Sequence, residues 1–183
     1  MILGLDISTS IVGATVLGKE GELLYCESWD LRNKKHYPTL FDKAERIRNK
    51  FKELTQIYRY RSQFNIDKVY IEQSLQAFRP GFSSAKTILV LAKFNGIISW
   101  LCDDVLGKRP EYINVLTARK LCGIKTQRGE NAKKKVLDFF LDNEPSFSIE
   151  YTKFGNPVPG SYDRADSLVI ARAGYISYNE KIA

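Results

Sequence analysis

Three short β-rich segments joined by tight turns open the chain and restrict the folds available to it. They cover residues 2–7, 12–17 and 23–29, and a turn at 18–21 (GKEG) separates the second from the third. Strands joined by so few residues pair antiparallel, because a parallel crossover needs about a dozen residues or more. The sequence therefore predicts an antiparallel meander at the start of a sheet.

Helical and extended patterns alternate in the rest of the chain. A long stretch at about 39–63 has apolar residues at every third or fourth position, which predicts a helix. Further helices are expected at about 83–105, 117–121, 130–141 and 162–178. Two further strands are expected at 68–72 and 112–115. This order predicts an α/β fold with a mixed five-stranded sheet and helices on both faces. No repeat or linker divides residues 1–183, so we expect a single domain.

Basic residues are concentrated in one part of the chain. The formal net charge is +7, and residues 119–135 contain seven Lys or Arg residues but a single acid, Glu130. Such clustering is typical of proteins that bind a polyanion, although a solvated helix face has the same appearance. The basic residues of this cluster are Arg119, Lys120, Lys125, Arg128, Lys133, Lys134 and Lys135.

Four acidic residues fall where an α/β sheet would bring them together. Asp6 interrupts the apolar first strand, and a charge buried there needs a cation beside it. Glu72 ends the fourth strand, and open sheets bind ligands at the carboxyl ends of their strands. Asp163 and Asp166 project from one face of the last helix. Each acid alone has a structural alternative, such as a turn, an ion pair or a helix-dipole contact, so the prediction depends on all four.

A cluster of four carboxylates predicts a site for divalent metal ions. Such groups cannot all ionise within a few ångströms of each other unless cations lie between them. Hard oxygen ligands favour Mg²⁺ or Mn²⁺. Two such ions, about 3.5–4 Å apart, promote in-line hydrolysis of a phosphodiester. Together with the basic cluster, this site predicts a nuclease.

The same positions resemble the RuvC-type Holliday junction resolvases of the ribonuclease H-like superfamily. The resemblance covers nearly the whole chain in order. It departs from the family at residues 7–8, where Pro-Gly is common, and at Ala118, where a second family lysine is expected and Arg119 stands beside it. The similar segments are 6–13 (DISTSIVG), 71–73 (IEQ), Gly123, 131–136 (NAKKKV) and 163–168 (DRADSL).

The resemblance implies a fold, a reaction and a set of site residues. The fold is ribonuclease H-like, and the enzyme is a homodimer that nicks two opposed strands of a four-way DNA junction, as suits a two-fold substrate. Asp6, Glu72, Asp163 and Asp166 are then the ligands of two Mg²⁺ ions, which Mn²⁺ can replace. Lys133 takes the place of a lysine that stabilises charge on the scissile phosphate. The family's products carry 5′-phosphate and 3′-hydroxyl ends.

Further residues are expected to contact the DNA outside the reacting phosphate. Arg79, Lys86 and the basic cluster are expected to hold backbone phosphates, which fixes position rather than sequence. Phe78 and Phe82 follow the fourth strand. They are expected either to stack on bases at the crossover or to pack within the protein.

Other functions of the same fold stay open at this stage. A nuclease acting on RNA–DNA hybrids, or one less selective among branched DNAs, would carry the same acids. A nucleic-acid binding module that has lost the chemistry would keep the fold. Actin-like and sugar-kinase ATPases share the opening strand and turn, but they need two such domains, and 183 residues are too few.

Unrelated functional classes find little support in the sequence. His36 is the single histidine, and the three cysteines lack the spacing of metal ligands. The longest apolar run, residues 88–101, is interrupted by Lys93 and Asn95 and is shorter than a membrane span. The apolar strand at residue 2 and the odd number of cysteines lead us to expect a cytoplasmic protein, in the host cytoplasm if its source is a phage or virus.

Overall fold

The fold is built on a five-stranded mixed sheet, seen in a computed structural model that describes residues 1–59, 65–73, 84–127 and 129–181. The strands are β1 (Ile2–Ile7), β2 (Ile11–Leu17), β3 (Leu23–Asp30), β4 (Lys68–Glu72) and β5 (Glu111–Ile113). Their order across the sheet is β3-β2-β1-β4-β5. The first three strands are antiparallel, whereas β1, β4 and β5 are parallel, which confirms the predicted meander followed by crossovers.

The described residues also form five helices. They are α1 (Leu40–Arg59), α2 (Ala85–Leu106), α3 (Val115–Leu121), α4 (Ala132–Asn143) and α5 (Ser161–Glu180). The predicted fifth strand was placed too late, because β5 ends at Ile113. The Asn114 side chain accepts hydrogen bonds from the backbone N–H groups of Leu116 and Thr117, so it caps α3 where the strand was expected to continue.

Helices cover both faces of the sheet, as predicted. On one face, Leu3 and Leu5 of β1 belong to a core that includes Phe51 of α1 and residues of α2. On the other face, Tyr70 of β4 joins a core formed with α3, α4 and α5, in which Leu168 is fully buried. The two cores arise because successive side chains of a strand point to opposite faces.

Two glycines allow α5 to lie directly on the sheet. A Cβ atom on Gly4 of β1 would lie 2.4 Å from the backbone nitrogen of Ala171. A Cβ atom on Gly13 of β2 would lie 1.9 Å from the carbonyl oxygen of Asp163. Any larger residue at either position must push the helix away, so these glycines set the distance between α5 and the strands below it.

Helix α2 has an apolar face that the described residues leave uncovered. Phe94 and Ile98 enter the core, but only 28% of the most apolar 18-residue stretch of this helix is buried. Leu89 and Trp100 are exposed. By length and composition α2 would suffice to cross a membrane, which corrects the expectation drawn from its interrupted apolar run, although core helices meet the same condition.

Candidate active site

Two neighbouring parallel strands and one helix carry acidic residues to the same end of the sheet. Leu5 of β1 pairs with Ile71 of β4, so the following residues, Asp6 and Glu72, lie side by side near the carboxyl ends of these strands. Helix α5 packs on β1 and β2, and its second turn carries Asp166. The parallel register of β1 and β4 and the close approach of α5 therefore bring these three acids together.

These three acids line a cavity of about 280 Å³ together with two basic side chains. Asp6, Glu72 and Asp166 supply the carboxylates, Arg119 enters from α3, and Lys133 enters from the first turn of α4. The acids come from three segments that are distant in sequence. Such convergence of titratable groups in one concavity is typical of a functional site.

Asp163 lies beside the cavity rather than on its wall. Its charge acts on Asp6 and on Asp166, so it belongs to the same electrostatic cluster. Lys133 and Arg32 act on Asp163 in turn and favour its ionised form. The structure therefore brings three of the four predicted ligands to the cavity and places the fourth within electrostatic reach of it.

The four acids hold their protons more tightly than ordinary carboxyl groups. Burial, followed by repulsion from Glu72 and Asp166, raises the pKa of Asp6 well above its usual value. Burial and the charge of Asp166 also raise the pKa of Glu72, against the opposing effect of Arg119. Burial raises the pKa values of Asp163 and Asp166 as well. Because burial removes water from these like charges, the ionised acids favour the binding of cations.

Two cations flank the carboxylate of Asp166. The Lys133 ammonium nitrogen lies 3.6 Å from Oδ2, and an Arg119 guanidinium nitrogen lies 3.8 Å from Oδ1. The Asp166 side chain is only 7% exposed, and Oδ1 has no hydrogen-bond partner among the described residues. Burial lowers the pKa of Lys133, but Asp166 and Asp6 outweigh it and keep this lysine charged.

The chemistry of these side chains fits a divalent cation such as Mg²⁺. All four acids offer hard oxygen atoms, and Oδ1 of Asp166 is a buried acceptor that none of the described residues supplies with a donor. Within the described residues, no three acidic side chains already stand close enough to hold one ion together. Asp6, Glu72, Asp163 and Asp166 stay the predicted ligands.

Neutralising Asp6 is expected to stabilise the protein when divalent ions are removed. The pKa values of Asp6 and Glu72 are raised in the folded chain, so the folded state binds more protons than the unfolded one. Its stability is then greatest below the ordinary carboxyl pKa and falls as the pH rises through the raised values. We expect Asp6→Asn to raise Tm by about 3 °C or more at neutral pH in EDTA, measured by calorimetry.

The pH dependence of this gain provides its control. At a pH of about 4 the native carboxyl is itself protonated, so the difference in Tm between the two proteins should nearly vanish. A lower Tm for Asp6→Asn at neutral pH would show that the carboxylate stabilises the fold, contrary to the raised pKa.

The described residues that were predicted to contact DNA are exposed, with the exception of Arg119. Lys86 is exposed and lines a cavity with Ser8 and Thr9, next to the turn that follows β1. Arg119 departs from the expected pattern because its side chain points into the acidic cavity rather than to the outer surface. The other described members of the basic cluster are exposed, namely Lys120, Lys125, Lys133, Lys134 and Lys135.

Four residues of the prediction lie outside the described part of the chain. They are Phe78, Arg79, Phe82 and Arg128. Their expected contacts with DNA stay predictions.

Sequence reasoning did not assign three polar residues of the cavity to the site, namely Ser8, Gln73 and Asn95. Asn95 of α2 is buried on its wall, and its Oδ1 has no hydrogen-bond partner among the described residues. The signal was present, because Asn95 interrupts the apolar run of residues 88–101. A buried amide without a partner on an otherwise apolar helix face is a reason to look for a ligand there.

Comparison with solved structures identifies the fold. A structure of Thermus thermophilus RuvC in complex with a Holliday junction substrate matches with a TM-score of 0.62 and 13% identity, over 97% of this chain and 94% of that one. The fold is RuvC-like. A second structure of Thermus thermophilus RuvC gives a TM-score of 0.60 at 16% identity, over 98% of this chain and 96% of that one.

A eukaryotic protein shares the RuvC-like arrangement. The yeast mitochondrial Holliday junction resolvase matches with a TM-score of 0.52 at 11% identity, over 99% of this chain and 82% of that one. No family model and no curated protein matches the sequence. The ribonuclease H-like class expected from the sequence is confirmed as the fold of the chain.

Proposed function

We propose that this chain is a divalent-metal-dependent endonuclease that resolves four-way DNA junctions. One observation carries the proposal: within a RuvC-like fold, Asp6, Glu72 and Asp166 line one cavity with Lys133 and Arg119. A buried acidic cluster with adjacent cations suits the hydrolysis of a phosphodiester, because such a site can hold both metal ions and an anionic substrate.

Each residue near the cavity has a role in this proposal. Asp6, Glu72, Asp163 and Asp166 hold two Mg²⁺ or Mn²⁺ ions. When bound, such ions supply an activated water for in-line attack on phosphorus and neutralise charge on the leaving oxygen. Lys133 is the residue proposed to contact the scissile phosphate. Its side chain is 60% exposed, so a substrate can reach it, and its ammonium group lies beside Asp166.

The exposed lysines around the cavity bind the backbone of the junction arms. Lys86 stands beside the turn after β1, and Lys134 and Lys135 follow Lys133 on α4. Lys134 is paired with Asp138 in the structure, 2.6 Å away, and exchanges that surface partner for a phosphate at little cost. Such contacts position the DNA without reading its sequence.

We propose that the enzyme acts as a homodimer through the uncovered face of α2. Leu89 and Trp100 are 56% and 58% exposed, and Phe41 of α1 is 79% exposed next to the groove that Trp100 lines. A contiguous apolar patch of this kind is typical of a protein interface. Two copies related by a two-fold axis would present two cavities to the two opposed strands of a junction.

Substituting Trp100 by Asp is expected to convert the dimer into a monomer. A charge placed in the centre of an apolar interface costs several kcal/mol of binding, whereas a charge at an exposed site away from it costs little. Analytical ultracentrifugation of the native and Trp100→Asp proteins measures the change in oligomeric state. Leu24→Asp on β3 provides the control, since Leu24 is also partly exposed but lies on another element. A Trp100→Asp protein with the native sedimentation profile would rule out this interface.

A cleavage assay tests the proposed function directly. The purified protein is incubated with Mg²⁺ and end-labelled four-way junctions, three-way junctions, forks, linear duplexes and RNA–DNA hybrids. We expect paired symmetric nicks in the four-way junction, with 5′-phosphate and 3′-hydroxyl ends, and no cutting in EDTA. Comparable cutting of the three-way and forked DNAs would indicate a broader branched-DNA nuclease. Preferential cutting of the hybrid would indicate a ribonuclease.

A further inference from the structure

The position of Arg119 is unusual for a residue that was expected to hold the DNA backbone. Its side chain is only 14% exposed and lines the same cavity as Asp6 and Glu72. The neighbouring Ala118 is fully buried in the core, and α3 packs on α5. This packing fixes the rotation of the short helix and directs the guanidinium into the acidic site.

Arg119 and Lys133 approach opposite oxygens of Asp166 but differ in freedom. Lys133 is mostly exposed and can leave its oxygen for solvent or phosphate at little cost. Arg119 is enclosed, and its Nε has no hydrogen-bond partner among the described residues. A guanidinium remains charged at any physiological pH, so its positive charge is a permanent part of the cavity.

A divalent ion that binds Asp166 is repelled by the fixed positive charge of Arg119. The Arg119 nitrogen nearest Asp166 lies 3.8 Å from Oδ1, a buried oxygen that has no hydrogen-bond partner among the described residues. Like charges a few ångströms apart repel more strongly in a site of low polarity than in water. An ion at Oδ1 therefore binds more weakly while the guanidinium stays in place.

We propose that Arg119 competes with divalent cations for Asp166 and keeps the metal affinity of the DNA-free protein low. A DNA phosphate entering the cavity relieves the competition, because a guanidinium binds a phosphate through two parallel hydrogen bonds. DNA and metal then favour each other's binding, as linkage requires. This inference rests on the proposed function, since it takes the acids as metal ligands.

The affinity of the DNA-free protein for Mn²⁺ tests the competition. Mn²⁺ binding to the full chain is measured by electron paramagnetic resonance for the native protein, Arg119→Gln and Arg119→Met. We expect both neutral variants to bind Mn²⁺ about tenfold more tightly or better, because a like charge is removed from the cavity. Arg119→Met retains an unbranched stem, so it covers the case in which Arg119→Gln fails to fold.

Two control variants separate local charge from other effects. Arg119→Lys keeps the charge and should stay within about threefold of the native affinity. Arg109→Gln removes an arginine that is 89% exposed after α2, and it should leave Mn²⁺ affinity unchanged. Native or weaker Mn²⁺ affinity in both neutral Arg119 variants would overturn the proposal.

A second measurement tests the link with DNA. For the native protein, half-maximal single-turnover cutting of a four-way junction should need less Mn²⁺ than half-saturation of the DNA-free protein. The difference between these two Mn²⁺ concentrations should be smaller for Arg119→Gln than for the native protein. Equal differences in the two proteins would refute the coupling. If neither the native protein nor the neutral Arg119 variants bind Mn²⁺, the metal site and the competition both fail. Native binding with no gain in the variants removes the competition alone.

Discussion

Replacing Asp166 by Asn is expected to reduce the rate of junction cutting about a thousandfold or more, while junction affinity stays within a few-fold of the native value. A thousandfold loss corresponds to about 4 kcal/mol of transition-state stabilisation, within the range that a metal ion supplies. Asn has the shape of Asp but lacks the anionic oxygens that Lys133 and Arg119 approach from either side. Single-turnover cleavage and gel-shift titration measure the two quantities separately.

Asp142→Asn is the matched control, because Asp142 is an exposed acid on α4 away from the cavity. It should cut and bind like the native protein. Native cutting rates in Asp166→Asn would show that this carboxylate is not a metal ligand. If the native chain binds junctions but cuts no substrate, a binding module without catalysis is the better description.

Gly13→Ala is expected to lower the free energy of unfolding by about 1–3 kcal/mol or more, as overpacking of a core does. The added Cβ would lie 1.9 Å from the carbonyl oxygen of Asp163, which belongs to the helix backbone and cannot rotate away. Helix α5 must therefore lift from β2. Since α5 carries Asp166, cutting should fall as well. Urea unfolding followed by circular dichroism measures the stability.

Gly96→Ala provides the comparison for this substitution. A Cβ on Gly96 of α2 meets no atom of the described residues of the same protomer within 4 Å, so the single chain accommodates this methyl group freely. Alanine is also the better helix former, and a gain of up to about 1 kcal/mol is expected. Equal stability of the Gly13→Ala and native proteins would mean that α5 does not rest on β2 as closely as described.

The sequence was sufficient to predict the sheet and the segments that carry the acids. Short connections forced the first three strands to pair antiparallel, and helical spacing placed the crossovers. A charge inside an apolar strand marked Asp6, and the end of a strand marked Glu72. These signals are local, because each depends on residues within a few positions of the one that it marks.

Features that depend on how elements pack could not be predicted in the same way. The rotation of α3, set by Ala118 in the core, decides whether Arg119 faces solvent or the cavity. The height of α5 above the sheet decides that Asp163 lies beside the cavity while Asp166 lines it. In the sequence Asn95 only interrupts an apolar run, and the structure shows that it lines the cavity. Distances between segments far apart in sequence are not encoded in local patterns.

The chain order makes the proposed active site depend on α5, the last of the described helices. The cavity draws one acid from β1, one from β4 and one from α5, which follows all the other elements along the chain. A nascent chain that has not yet released α5 from the ribosome lacks both Asp163 and Asp166, along with much of one core. Under the proposed function, a chain that lacks α5 is therefore expected to lack nuclease activity.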